Sequence, residues 1–145
     1  MIRKATTSDV PAIKALMKSE PGFWKQDTRP DVLEIELSSA KDLSFVWDEG
    51  GEIIGFACAH DLGFRAYLSE LIVAKPARGK GIGRSLIEHI QNKLRDRNCP
   101  VLFSDVWKTA EKFYRSLGWS APDVVLLRKR LIDEFSQPAD GSAQK

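Results

Sequence analysis

The sequence predicts a single α+β domain, in which hairpin-connected strands and separate helices share one hydrophobic core. The chain has 145 residues, of which 43% are hydrophobic, and this length fits one ordinary domain. A β-type run, "LSFVWDEGGEIIGFACAH", is interrupted by the turn signal Glu49-Gly50-Gly51, which is typical of a hairpin. Apolar residues at helical spacing then predict helices before and after this run.

The first half of the chain predicts one strand, two helices and three successive antiparallel strands. Ile2 to Ala5 is strand-like, and Thr7 or Ser8 can cap the helix that follows. A second helix is predicted from about Asp31 to Ser39. A third β-run, "FRAYLSELIVA", follows a second turn signal at Asp61-Leu62-Gly63. The apolar residues that indicate the first helix are Val10, Ile13, Leu16 and Met17.

The second half predicts two helices that alternate with strands. A helix begins near Ile82 and ends near Asn98, and "VLFSDVW" follows it as a short strand. "KTAEKFYRSLGW" is the last predicted helix, with Gly118 where a left-handed C-terminal cap belongs. "DVVLLRKRL" is predicted to be a final strand. With no repeat or linker in view, we expect one domain over residues 1–135 and a disordered tail over 136–145.

Composition excludes several classes of function. The formal net charge of +2 argues against a general nucleic-acid binder, which needs many cationic contacts to phosphates. Cys58 and Cys99 have neither metal-ligand spacing nor a disulfide framework, so we expect free thiols and no metal. No signal peptide or membrane-spanning run is found. We therefore expect a cytoplasmic protein with no membrane partner.

The segment "PARGKGIGRSLIEHI" lies between a predicted strand and a predicted helix. Glycines at 79, 81 and 83 allow successive amides to face one concavity, and a helix N-terminus favours an anion. A Walker loop is excluded because Gly81, not Ser or Thr, follows Lys80. The dinucleotide fingerprint fails as well, because Arg84 stands where its third glycine belongs. By its letters alone the segment is either a pyrophosphate cradle or a solvated basic turn.

The order of motifs is more specific. Arg78-x-x-Gly81-x-Gly83, after "ELIVAKPA" and before an amphipathic helix, resembles the acetyl-CoA pyrophosphate motif of the GNAT superfamily of N-acetyltransferases. Downstream, "AEKFYRSLGW" resembles a later helix of that superfamily, and the resemblance spans about residues 2–131. It implies a mixed, mostly antiparallel central sheet flanked by about four helices. It also implies that the strands ending in "ELIV" and "FSDV" are splayed apart and form the CoA cleft.

The resemblance also implies roles for individual residues. Backbone groups of Leu71, Ile72 and Val73 would pair with the pantetheine arm of acetyl-CoA, and Tyr114 would be the general acid. Trp107 departs from the superfamily, many members of which have an Asn here; it would pack against the cofactor or line the acceptor pocket. The pyrophosphate would meet the backbone amides of the glycine loop, which are those of Arg78, Gly79, Lys80, Gly81, Ile82, Gly83 and Arg84.

The general base is less defined. Glu70 is the first candidate, because strand alternation places it on one face with Leu68 and Ile72 and partly buries it, although a purely structural carboxylate fits equally well. Asp105, His60 and a water relay are the alternatives.

The function that these residues predict is transfer of acetyl to a primary amine by direct attack in a ternary complex. The acceptor is a small-molecule or peptide amine, and acids in "PGFWKQDTRPDVLEIEL" either attract it or form a solvated helix face. The alternative is a non-catalytic acyl-CoA-binding module that regulates or contacts a partner. Oligomeric state does not follow from the sequence, so a homodimer is an open option.

Overall fold

A five-stranded sheet in the order β1-β2-β3-β4-β5 organises the computed structural model, which describes residues 1–132. The first four strands pair in antiparallel fashion, and β4 pairs with β5 in parallel. This arrangement confirms the predicted mixed, mostly antiparallel sheet. The strands are β1 (Ile2–Lys4), β2 (Ser44–Glu49), β3 (Glu52–Asp61), β4 (Ala66–Val73) and β5 (Leu102–Phe103).

Four α-helices flank the sheet in the described part of the chain, as predicted. They are α1 (Val10–Lys18), α2 (Val32–Ala40), α3 (Ile82–Asp96) and α4 (Glu111–Ser116). Short 3-10 turns precede α1, α3 and α4, at Thr7–Asp9, Lys75–Ala77 and Lys108–Ala110.

The cap of the first helical segment differs from the prediction by one residue. Thr6, rather than Thr7 or Ser8, is the N-cap, and its backbone N–H donates to Asp9 Oδ2 at 2.8 Å. The Asp9 carboxylate is fixed there because Arg3 donates to both of its oxygens, at 2.8 and 2.9 Å. A contact from β1 therefore sets where the helical segment begins.

The sheet separates two hydrophobic layers. On one face α3 packs through fully buried residues such as Leu86 and Ile90, together with Leu68 of β4. On the other face α1 and α2 cover Phe56 of β3 and Ile72 of β4. Because the helical stripe of α3 repeats every three to four residues, the same residues that predicted the helix are the ones that it buries.

The two predicted turns are confirmed. Gly50 and Gly51 join β2 to β3 and have φ values of 60° and 99°, which a two-residue hairpin turn requires and which glycine adopts without strain. Gly63, with φ 91°, lies in the turn between β3 and β4.

The predicted final strand is wrong. Residues 123–131 form no strand, and Val124 and Leu127 are 69% and 86% exposed. A β-type composition produces a strand only where a partner edge and a covering layer are available. Near the end of this segment Arg130 instead pairs with Asp27 at 2.8 Å. The predicted strand "VLFSDVW" is also shorter than expected, because β5 spans only two of its residues. The predicted tail and the domain boundary at residue 135 lie outside the described residues.

We predict that Leu86→Ala destabilises the domain by about 2–5 kcal/mol, because it leaves a cavity between α3 and the sheet. Leu86 is 0% exposed, whereas Leu62, in the turn after β3, is 63% exposed. Leu62→Ala is therefore the matched control and should change stability by no more than ~0.5 kcal/mol. Urea unfolding of both variants measures the difference, and equal effects would contradict the packing described above.

Candidate active site

A β-bulge in β4 determines which side chains reach the helical layer formed by α1 and α2. Glu70 pairs with Cys58 and Leu68 pairs with Ala59, so Ser69 between them has no partner in β3. The extra residue interrupts the alternation of faces. The predicted common face for Leu68, Glu70 and Ile72 is therefore wrong: Leu68 packs beneath α3, whereas Ile72 lies in the layer under α1 and α2. Ser69 and Glu70 both contact Glu36 of α2.

The strands β4 and β5 separate soon after they meet. Only Ala66 and Tyr67 of β4 pair with β5, and Ser104 then donates to the Leu68 carbonyl at 2.9 Å. Beyond that bond β4 continues to Val73, whereas the segment that follows β5 turns toward α4. The opening is a cavity of about 810 Å³, lined by the second half of β4, the glycine loop, residues 104–107 and the inner side of α4. The splayed strands predicted from the sequence are confirmed.

The glycine loop forms one end of this cavity. Gly79 and Gly81 have left-handed φ values of 81° and 82°, and Gly81 is the N-cap of α3. The first amides of α3 have no acceptor within the helix and are available to an anion. At Gly83 an added Cβ would lie 3.5 Å from Phe113 Cζ and 3.6 Å from Val73 Cγ2, so glycine lets the first turn pack closely between β4 and α4. These features fit a phosphate-bearing ligand.

Two of the three basic side chains of the loop pair with acidic residues of the protein. Arg78 donates to the Val73 carbonyl at 3.0 Å and pairs with Glu20. Arg84 pairs with Glu88, one turn further along α3, at 3.0 Å. The side chain of Lys80 is exposed to solvent. The cradle is therefore mainly a backbone structure.

Tyr114 lines the same cavity from α4. Its ring packs edge to face on Phe113 and Trp119, with centroids 5.3 and 5.2 Å away, and the residue is 8% exposed. The end of α4 holds this ring in place: Gly118, with φ 94°, supplies the predicted left-handed cap, and the Trp119 N–H donates to the Tyr114 carbonyl at 3.2 Å.

Burial, with a smaller contribution from the negative charges of Asp105 and Glu70, raises the pKa of Tyr114 to about 12. The phenol therefore keeps its proton throughout the neutral range.

Acidic side chains also line the cavity. Glu36 lines it beside Ser69, which donates to Glu36 Oε1 at 3.0 Å. Burial raises the pKa of Glu36, but hydrogen bonds to its carboxylate, with that from His60 the largest, outweigh burial and lower the value to about 2. Glu36 is therefore an anion at neutral pH.

Sequence reasoning placed Glu36 among the acids of a helix and gave it no specific role. One signal was present, because Glu36 stands in the helical stripe of Leu33, Leu37 and Ala40, all of which are buried. An acid in a buried stripe calls for a polar partner inside the protein.

The remaining predicted site residues fall into two groups. Glu70, Asp105 and Trp107 line the cavity, and the Trp107 ring packs on Phe23 with centroids 5.1 Å apart. His60 lies behind this wall, where its Nε2 is 3.0 Å from Ser69 Oγ. The loop residues other than Lys80 line the cavity, as do Leu71, Ile72 and Val73.

Comparison with known proteins agrees with this architecture. Residues 10–119 match the acetyltransferase (GNAT) family. The chain belongs to the GNAT acetyltransferase family. It is 29% identical over 135 residues to the peptidyl-lysine N-acetyltransferase YiaC of Escherichia coli, a match that covers 85% of each chain. It is thus an enzyme of the acetyltransferase class.

Two solved structures share the fold of this GNAT protein at low identity. A transcriptional regulator from Bacillus halodurans superposes with a TM-score of 0.74 at 22% identity, over 90% of this chain and 99% of the other. The aminoglycoside N-acetyltransferase AAC(6')-Iy in complex with CoA has a TM-score of 0.69 at 23% identity, with the same coverage. In the described part of this chain, no helix is both long and apolar enough to cross a membrane.

We predict that the Tyr114 phenol titrates near pH 12 in the native protein, because burial opposes its ionisation. In Tyr67→Phe, Tyr114 is the single tyrosine of the chain, so its tyrosinate absorbance can be followed alone. The same variant in guanidinium chloride is the control and should titrate near the ordinary value of about 10. Far-UV circular dichroism checks that the fold persists, and a native midpoint near pH 10 would contradict the buried environment.

Proposed function

We propose that this chain transfers the acetyl group of acetyl-CoA to a primary amine by direct attack in a ternary complex. The observation that carries the proposal is one cavity that is lined both by the amide-rich glycine loop and by the carboxylates of Glu36, Glu70 and Asp105. Tyr114 and Glu70 line the same cavity and lie close enough for the charge of Glu70 to affect the Tyr114 pKa. An anionic cofactor and a cationic amine would thus meet beside a proton donor and a proton acceptor.

The cofactor would be held mainly by the backbone. Acetyl-CoA supplies an acetyl group that is already activated for transfer. The amides between Arg78 and Arg84 would bind its pyrophosphate at the start of α3. The second half of β4 would pair with its extended arm; because the Val73 carbonyl already accepts from Arg78, this pairing falls to the other backbone groups of residues 71–73. Trp107, with its large apolar face, would form the wall beside them.

Two proton movements complete the reaction. As the bond from the amine nitrogen to the acetyl carbon forms and the carbon–sulfur bond breaks, Glu70 would take the proton that the amine loses. Tyr114 would give its phenolic proton to the departing sulfur. Asp105 also lines the cavity and is the second candidate for the base.

The acceptor would be a small-molecule or peptide amine. The acids Glu36, Glu70 and Asp105 line the cavity wall, which favours a cationic acceptor. Glu20 and Asp27 line it as well, but they are paired with Arg78 and Arg130. The similarity to a peptidyl-lysine N-acetyltransferase makes lysine-containing peptides the first acceptors to test. Small amines belong in the same panel.

We predict that Gly81→Asp weakens CoA binding far more than Lys80→Ala does. The substitution puts a side chain on a backbone at φ 82° and a negative charge where the phosphate would lie, whereas the Lys80 side chain is exposed. Calorimetric titration with CoA should show at least a tenfold weaker Kd for Gly81→Asp and less than a threefold change for Lys80→Ala. Gly51→Asp, at φ 99° in the β2–β3 turn, controls for the strain of the substitution alone. A larger loss for Lys80→Ala would refute a backbone cradle.

We also predict that Tyr114→Phe and Glu70→Gln each lower kcat by about 10²–10⁴-fold while CoA binding is retained, as expected for lost proton transfer. Free-thiol release from acetyl-CoA is measured over the panel of peptides and amines. Tyr67→Phe is the matched tyrosine control and should stay close to wild type. Loss of activity in Asp105→Asn but not in Glu70→Gln would move the base to Asp105.

Tight CoA binding by the wild type with no turnover of any amine would overturn the enzymatic proposal. It would favour the non-catalytic acyl-CoA-binding module instead.

A further inference from the structure

Three side chains that commonly bind transition metals meet on the α2-facing side of the sheet. Glu36 comes from α2, and Cys58 and His60 come from β3, where residues two apart share one face. One carboxylate oxygen, the thiol sulfur and a ring nitrogen all lie within 4.8 Å of one another. Cys58 Sγ is 3.7 Å from His60 Nε2, which is 3.6 Å from Glu36 Oε1.

These separations are close to those of a tetrahedral zinc centre. Bonds of about 2.3 Å to sulfur and about 2.0–2.1 Å to nitrogen and oxygen, at a tetrahedral angle, place neighbouring ligand atoms roughly 3.3–3.6 Å apart. The Cys58–His60 and His60–Glu36 separations would need to shorten by only a few tenths of an ångström, whereas the Cys58–Glu36 separation, which is at most 4.8 Å, would close by movement of the Glu36 side chain. A thiolate, an imidazole and a carboxylate together suit Zn²⁺, whereas Mg²⁺ and Ca²⁺ prefer oxygen ligands alone.

The ring of His60 is placed for this role, but its proton is on the opposite nitrogen. Because Ser69 donates to Glu36, His60 Nε2 donates to Ser69 Oγ in the metal-free protein, and Nδ1 lies 2.9 Å from Ser39 Oγ. Metal binding requires the other tautomer, in which Nδ1 donates to Ser39 and the lone pair of Nε2 points into the cluster. A hydrogen bond from the far ring nitrogen is the usual support of a metal-binding histidine. Ser39 therefore acts as a positioning residue, one helical turn after Glu36.

The cluster is sheltered and can be reached from the cavity. Cys58 is 0% exposed, and the side chains of Glu36 and His60 are 16% and 17% exposed. Glu36 and Ser69 line the cavity wall, which gives an ion a way in. Once binding removes the thiol proton, the carboxylate and the thiolate together carry two negative charges, which match a divalent cation.

We propose that Glu36, Cys58 and His60 form a Zn²⁺ site with three protein ligands and a fourth position on the cavity side. When the sulfur–zinc bond forms, the Cys58 thiol gives its proton to water. Ser69 Oγ, at 3.0 Å from both His60 Nε2 and Glu36 Oε1, gives up its bonds to those two atoms. The proposal does not depend on the acetyl-transfer chemistry. Sequence reasoning predicted no metal, because the ligands come from separate elements that only the fold brings together.

The competing interpretation is a hydrogen-bonded network that binds no ion. Ser69, His60 and Glu36 would suffice for such a network, and the thiol would add little to it. The two interpretations therefore differ in the role of the thiol, which an optical probe of sulfur–metal bonding can detect.

The test is titration of the full chain, freed of metal by chelation, with Co²⁺ as a spectroscopic substitute for Zn²⁺. We expect one equivalent of Co²⁺ to produce a near-ultraviolet sulfur-to-cobalt charge-transfer band and the intense visible bands of a four-coordinate ion. Zn²⁺ should bleach both. Cys58→Ser should abolish the charge-transfer band, and His60→Ala should weaken Co²⁺ binding at least 100-fold. Ser39→Ala should weaken it by about 10–100-fold, as expected for loss of a supporting hydrogen bond.

The chain offers matched controls, because it holds two cysteines and two histidines in all. Cys99→Ser and His89→Ala should leave the titration unchanged. Absence of a charge-transfer band in the wild type would overturn the proposal by itself, and so would a band that survives Cys58→Ser and disappears in Cys99→Ser. Circular dichroism verifies that each variant is folded; should Cys58→Ser fail to fold, Glu36→Gln takes its place, and undiminished binding in that variant would count against the site.

Discussion

The β-bulge at Ser69 is the constraint on which the rest of this site depends. Without the extra residue, regular alternation would keep Glu70 on the same face as Leu68, under α3 and away from Glu36. With it, Ser69 and Glu70 both reach α2, and Ile72 packs beneath α1 and α2. One unpaired residue thus places the Glu70 carboxylate beside Glu36 while Leu68 and Ile72 pack on opposite faces of the sheet.

What the sequence could predict follows from how local each signal is. The glycine loop, the α3 stripe and the cap at Gly118 each occupy a few consecutive residues, so their patterns survive in the sequence. The bulge depends on the register between β4 and β3. The predicted final strand would have needed the free edge of a long neighbouring strand, and β5 is only two residues long. Both were mispredicted for the same reason, which is that strand structure is decided by contacts distant in sequence.

At the glycine loop, the attraction for an anion comes from backbone amides more than from basic side chains. Arg78 and Arg84 are paired with Glu20 and Glu88, which leaves chiefly the amides at the start of α3. In the same cavity the carboxylate of Glu36 is held ionised by hydrogen bonds. Such a cavity would bind an anionic and a cationic ligand, as proposed, without presenting a basic surface, which agrees with the net charge of +2.

The raised pKa of Tyr114 sets a condition on the proposed chemistry. A phenol with a pKa of about 12 is a weaker acid than a thiol, whose ordinary pKa is about 8.5, so by itself it would protonate a departing sulfur poorly. Burial is the main cause of the raised value, and the negative charges of Asp105 and Glu70 add to it. If Glu70 is the base, as proposed, the proton that it takes from the amine would remove one of these charges and make Tyr114 a stronger acid. The two proposed proton transfers would then be coupled through the cavity.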